Sequence, residues 1–229
     1  MHPVIKYLLA RQNKQIPVDD GRKIVLILPG GLMTGVRGAG ARIGLSELGL
    51  ADSFNAIYVI SAGLASASYF LSKQTRLGTS IYYEDLASRK FINVLRPWNV
   101  VNIDYFIDVA RRVKPLNIRS ILAHPTKLYV RIDRKDRGIE YIEVHNVPDN
   151  EYLSLMEATV SLPFLHPGTT KIGENHYHYK DPDFFEDQSS ALIQDVLDSD
   201  ATEIIIIYNN FGQQRSVRKT LALPPERVL

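Results

Sequence analysis

Cysteine is missing altogether from this 229-residue chain, which excludes a disulfide framework, a thiol nucleophile, Cys-ligated zinc and iron–sulfur chemistry. Tryptophan occurs once, at Trp98. No stretch approaches the ~18 consecutive apolar residues of a membrane span, and the opening MHPVIKYLLARQNK lacks a long apolar run with a small-residue cleavage site, so a cytoplasmic protein is expected. Neither sign of charge dominates. The 27 Lys and Arg stand against 25 Asp and Glu, a formal charge of +2, and make no case for a nucleic-acid partner. One excess is local: Arg111 to Arg137 holds nine Lys or Arg and two Asp. That segment reads as a solvated basic face that an anionic membrane surface would attract, and it lacks the aromatic platforms of single-strand binding. The chain is 45% hydrophobic, and at this length folding buries roughly 70–75% of the unfolded surface, enough for a core without staples. One domain over residues 1–229 is expected.

The order of elements is legible in outline. Val4 to Leu9 suits a short helix, and Ile24 to Leu28 (IVLIL) is a strand buried on both faces, ending at Pro29-Gly30-Gly31. A glycine-rich loop follows, then a helix from Ala39 to Leu48 with Ile43, Leu45 and Leu48 on its buried face. Asn55 to Ile60 is a second buried strand, and a small-residue helix starts directly after Ser61. Farther on, Asp104 to Pro115 has helical spacing, LYVRID and IEYIEV form a hairpin across DRKDRG, Glu151 to Thr159 is a helix, and Ile204 to Tyr208 is a last buried strand. The alternation predicts an α/β protein: a three-layer α/β/α sandwich around a mostly parallel sheet.

Two loops carry chemistry. Ser61, in Val59-Ile60-Ser61-Ala62-Gly63, stands where an apolar strand turns into a small-residue helix, close to a G-x-S-x-G nucleophile elbow. Such a turn lifts a hydroxyl above the sheet and aims the helix N-terminus at developing negative charge, whereas a serine N-cap would need no catalysis. The loop Gly30-Gly31-Leu32-Met33-Thr34-Gly35-Val36-Arg37-Gly38-Ala39-Gly40 suits an oxyanion hole, a phosphate cradle or a dinucleotide loop. It lacks the Gly-Lys-Ser/Thr of a P-loop, and the second strand ends at Ser61 rather than at an acidic ribose ligand.

Taken with FNAIYVISAGLASASYFLSKQ, the stretch GVRGAGARIGLSELG resembles the patatin-like phospholipases, in which a G-G-G-x-R-G loop precedes a G-x-S-x-G elbow. The likeness continues through NVVNIDYFIDVARRVKPLNIRSILAHPTKLYVRIDRKDRG and EATVSLPFLHPGTTKIGENHYHYKDPDF, in a bacterial branch of the family, over about residues 24–218. What the resemblance implies is a lipid acyl hydrolase: a serine esterase with a Ser-Asp dyad, acting on phospholipids or other polar lipids without metal or organic cofactor. Ser61 matches the nucleophile and Asp181 the acid/base partner; Thr34, Gly35, Arg37 and Gly38 match the oxyanion-hole loop, and Ala62 and Gly63 the elbow.

Three positions depart from the family pattern. Val59 replaces the first elbow glycine, Met33-Thr34-Gly35 stands for Gly-Gly-Gly, and Pro182-Asp183 follows the acid where the family has Gly-Gly, making Asp183 a rival acid. A patatin-type scaffold that binds lipid or protein without hydrolysis is the alternative function, and a dinucleotide-binding oxidoreductase is a remote one. An α/β-hydrolase triad, in which an acid and then a His near the C-terminus follow the serine, is disfavoured because the last histidine is His178. His176 and His178 read as an exposed strand rather than a metal site. Trp98 reads as a partly buried anchor, and Tyr82, Tyr83 and Phe91 are candidates to line an acyl pocket.

Overall fold

The computed structural model describes residues 2–14, 20–161, 169–173, 177–182, 188–209 and 227–229. The first helix, α1 (Pro3–Ala10), starts on proline, whose missing N–H costs nothing there, and is stapled to the sheet by Arg11. That guanidinium, almost fully buried, donates to Asp20 (2.6 and 2.9 Å), the Asn55 side chain (2.6 Å) and the carbonyls of Arg22 (2.7 Å) and Ser53 (3.2 Å).

Next comes β1 (Ile24–Leu28), all aliphatic and buried throughout. A single 3-10 turn, Leu32–Thr34, leads into α2 (Gly35–Glu47), so the helix begins four residues before Ala39. Gly35 and Gly38 serve close packing rather than a loop: a Cβ would come 2.5 Å from the Tyr82 hydroxyl at the first and 2.5 Å from Asn209 Oδ1 at the second. The buried face of α2 is accordingly Gly35, Gly38, Ala39 and Arg42, while Leu48, expected to point inward, is 56% exposed.

The chain continues through β2 (Ala56–Ile60), α3 (Gly63–Leu71) and α4 (Thr75–Ser80), which runs into a π-helical turn, Ile81–Asp85. Then come α5 (Ile103–Asp108) with its own π-helical extension to Val113, α6 (Ile118–Leu122), β3 (Lys127–Arg134), β4 (Gly138–Glu143) and α7 (Tyr152–Val160). The described elements end with β5 (Thr170–Ile172), β6 (Tyr177–Lys180), α8 (Gln188–Leu197) and β7 (Glu203–Ile206).

These seven strands form one sheet in the order β5-β6-β3-β2-β1-β7, with β4 also on β3. It is mixed, not mostly parallel: β7, β1, β2 and β3 run parallel, whereas β4, β6 and β5 pair antiparallel. The turn at DRKDRG is too short for a parallel crossover, so β4 must return beside β3.

Strand β3 has two edges. One carries β4 along Tyr129–Arg134; the other carries β2 only as far as Ile60 opposite Arg131. Beyond that point β6 takes over the vacated edge, with Lys180 opposite Asp133. The end of β6 is thereby delivered to where β2 stops.

Helices cover both faces. Ile24, Leu26 and Leu28 pack into a large core with α1, α3, α5, α6 and α7, while Val25 and Ile27 face a smaller one with α8. On the smaller side Tyr58 stacks on Tyr129 at 4.8 Å, and the Tyr141 hydroxyl donates to Asp195 of α8 at 2.7 Å. Among the described residues, no helix is long and apolar enough to cross a membrane.

Candidate active site

Ser61 sits at φ 55°, in the left-handed region that a β-carbon resists. The strain is held by its neighbours. A Cβ on Gly63 would lie 2.5 Å from the Leu28 carbonyl, so only glycine lets α3 start this close to the end of β1. A Cβ on Gly30 would meet Ser61 Cβ at 2.9 Å and its Oγ at 3.5 Å, so bare backbone flanks the hydroxyl. Val59, in place of the first elbow glycine, points away from the turn into the large core, fully buried and against Gly63. That substitution leaves the elbow geometry intact.

Asp181 follows β6 directly and is 2% exposed. Its N–H donates to the Ser161 carbonyl at the end of α7 (3.3 Å), and its carboxyl lies near enough to the Ser61 side chain for that hydroxyl to favour the ionised form. The second carboxylate oxygen, Oδ2, has no hydrogen-bond partner. Burial pushes the Asp181 carboxyl up to about 8, with the neighbouring Ser61 hydroxyl pulling the other way. Pro182 therefore does not keep Asp181 from the serine. Asp183, the rival acid, lies outside the described residues.

In the preceding loop the structure redistributes the expected donors. The Thr34 N–H and hydroxyl both go to the Gly31 carbonyl (2.9 and 2.6 Å), and the Gly35 N–H bonds back to Leu32 and Met33. Arg37 is exposed on the first turn of α2, and Gly38 packs against Asn209 and Arg42. The N–H groups of Leu32, Met33 and Ala62 make no hydrogen bond to a described residue, because they open a 3-10 turn and a helix whose first donors have no internal acceptor. Leu32 is itself at φ 44°, so both loops carry a non-glycine residue in the left-handed region.

Leu32, Met33 and Ala62 line one narrow cavity of about 50 Å³, walled mainly by apolar side chains that include Leu86, Phe91 and Phe106. Tyr82 lines it as well, bridging Ser66 of α3 (3.2 Å) and lying against Gly35, whereas Tyr83 is 60% exposed. The cavity has one cationic wall residue, Arg42, whose guanidinium is lowered to about 10 by burial.

Sequence reasoning missed Asn209, which donates to the Pro29 carbonyl (2.7 Å) and the Gly30 carbonyl (2.9 Å) and so braces the loop from the end of β7. A buried strand that ends in Asn-Asn was the available signal. It also missed Arg42, which is one helical turn from Gly38 and shares its buried face.

The histidines lie elsewhere. His124 bonds Asp52 (3.1 Å), His145 bonds the His124 carbonyl (3.0 Å), and His178 bonds the Thr169 hydroxyl (2.6 Å); His166 and His176 lie outside the described residues. Among the described residues, no group of three or more His, Asp or Glu is placed to hold a metal.

No protein-family model matches the chain, and no curated protein matches it. Among solved structures it is similar to VipD from Legionella pneumophila, with a TM-score of 0.50 at 10% identity, covering 72% of this chain and 46% of that one. The chain thus spans less than half the length of that protein, and at this identity the likeness is one of α/β fold alone.

Proposed function

We propose that this protein is a serine-dependent carboxylic ester hydrolase acting on fatty-acyl lipids, built as the patatin-like three-layer sandwich with Ser61 and Asp181 as its dyad. The observation that carries the reading is the placement of Ser61, held on a strained turn, beside the buried carboxyl of Asp181. Ser61 Oγ attacks the ester carbonyl as its proton passes to Asp181. The oxyanion is met by the uncommitted N–H groups of Leu32, Met33 and Ala62, in place of Thr34, Gly35, Arg37 and Gly38. As the tetrahedral species collapses, the ester C–O bond breaks and Asp181 returns the proton to the leaving alcohol. Water then attacks the acyl-serine, giving a proton to Asp181; as the acyl–Oγ bond breaks, Asp181 passes that proton to Ser61 Oγ and the carboxylic acid leaves. The narrow apolar cavity beside Ala62 has room for a few carbons of an acyl chain.

Intact-mass measurement after exposure to a long-chain fluorophosphonate tests this. One adduct is expected on the parent, none on Ser61→Ala, and a much slower one on Asp181→Asn. A well-folded parent that takes no adduct even at pH 9 would refute the hydrolase reading and leave a lipid-binding scaffold.

A further inference from the structure

Between the π-helical turn after α4 and the start of α5, the chain throws out a finger that the proposed chemistry does not use. Ile92 bridges Val101, the Asn93 N–H donates to the Val100 carbonyl (2.9 Å) and the Asn102 N–H to that of Phe91 (2.8 Å), closing residues 92–101 into a short loop with a defined neck. The neck is buried: Phe91 and Val101 are 3% and 2% exposed, and Leu86, Phe91 and Ile103 belong to the cavity wall. The tip is the reverse, with Val94 and Leu95 each 77% exposed and Trp98 73%. Trp98 is thus no buried anchor; the two turns of the finger leave it nothing to pack on.

The tip is shaped rather than frayed. Arg96 reaches back to the carbonyls of Arg89 (3.2 Å) and Lys90 (3.1 Å), and Asn93 Oδ1 accepts from the Leu95 N–H (3.0 Å). Three large apolar side chains held in water within five residues gain nothing for the isolated protein, and such a patch marks a surface awaiting an apolar medium. Its charge has one sign. From Leu86 to Val101 there are three Lys or Arg and no Asp or Glu, and the exposed side chains of Arg89 and Lys90 make no ion pair among the described residues. In the basic segment singled out in the sequence, Arg112, Lys114, Lys127, Arg131 and Arg134 are each paired with a carboxylate, while the exposed Arg111, Arg119, Lys135 and Arg137 make no ion pair among the described residues, so it is the apolar tip that sets the finger apart.

We propose that the 92–101 finger docks on an anionic phospholipid bilayer, with Val94, Leu95 and Trp98 entering the boundary between headgroups and acyl chains and with Arg89 and Lys90 meeting lipid phosphates. The choice of lipid as the partner rests on the hydrolase reading above. Tryptophan suits that depth because its ring is apolar and its N–H finds a polar acceptor. Since Phe91 belongs both to the neck and to the cavity wall, docking sets that wall against the source of acyl chains.

Trp98 is the only tryptophan in the chain, so its fluorescence reads the tip directly. The test uses full-length Ser61→Ala protein, so that binding is measured without turnover, with vesicles of phosphatidylcholine alone or mixed equally with phosphatidylglycerol. A blue-shifted emission and co-sedimentation are expected with the mixed vesicles, both weakened by salt. Adding Leu95→Asp is expected to lower partitioning about tenfold, and Arg89→Gln with Lys90→Gln also about tenfold, with thermal unfolding unchanged because these side chains pack on nothing. No shift with either vesicle overturns the proposal. So does a blue shift that appears on raising protein concentration without lipid, which would make the finger a contact between copies. The two readings fail separately: a parent that docks but takes no fluorophosphonate loses only hydrolysis, and one that is labelled but never docks loses only the finger.

Discussion

The two faces of the sheet are built differently. On the α8 side, Leu192, Ile193 and Val196 lie on Val25, Ile27, Ile204 and Ile206, an aliphatic contact between a regular helix and regular strands. On the opposite side the turns after β1 and β2 hold Leu32 and Ser61 in the left-handed region, glycines admit backbone and side chains where a Cβ would collide, and α4 ends in a π-helical turn whose Ile81 and Tyr82 line a cavity. Regular packing gives stability at little risk; strained, close-fitted backbone is kept where a group must be aimed. The difference teaches where a substitution should register as lost activity and where as lost stability.

The sharpest test of that contrast is Ser61→Ala, expected to lower fluorophosphonate labelling by about 10³-fold or more while leaving the denaturation midpoint near the parent's. On the quiet face Leu192→Ala should do the opposite. By cavity formation it costs about 2–5 kcal/mol in urea unfolding, and labelling of the folded fraction stays at the parent rate. Gly63→Ala should blur the two, because pushing α3 off the Leu28 carbonyl costs about 1–3 kcal/mol and also shifts the serine.

The pH dependence separates the faces again. Asp181 must be ionised to take the serine proton, and burial raises it from 3.8 to about 8, so labelling should climb with pH and level off above about 8. Stability should run the other way. The folded state holds the Asp181 proton more tightly than the unfolded one, so this group's contribution is full below pH 3.8 and is lost as pH rises to about 8. Asp181→Asn should remove that slope, while Leu192→Ala should leave it in place. The smallest effect expected is a gain: Ser61→Gly relieves the positive φ and should raise stability by about 1 kcal/mol even as labelling disappears, read as a higher urea midpoint.

Much of the frame was legible because aliphatic runs leave few choices. IVLIL, AIYVI and EIII pair parallel in register, and the hairpin across DRKDRG forms as read. The sharp turn at Ser61 was legible too, since the strand, the hydroxyl and the small helix are consecutive. Helix α8 was not, because Gln188–Leu197 shows its apolar stripe only at Leu192, Ile193 and Val196 among polar residues. The uncommitted N–H groups of the loop fall elsewhere than its glycines for a local reason: composition marks glycines, but the free N–H groups belong to whichever residues open a turn, here Leu32 and Met33. Exposure of Trp98 was hidden as well, since large aromatics are usually buried and nothing local in LRPWN contradicts it.

The edge of β3 that passes from β2 to β6 also imposes an order in time. During synthesis Ser61 emerges early, with the strand and helix that aim it, while Asp181 arrives only when β6 has closed a long-range antiparallel pair on β3. Until that pairing forms, Ser61 is an ordinary alcohol on a strained turn. On the proposed function a growing chain would therefore carry no premature activity, and the onset of labelling on stalled ribosomes would time the last step of sheet assembly.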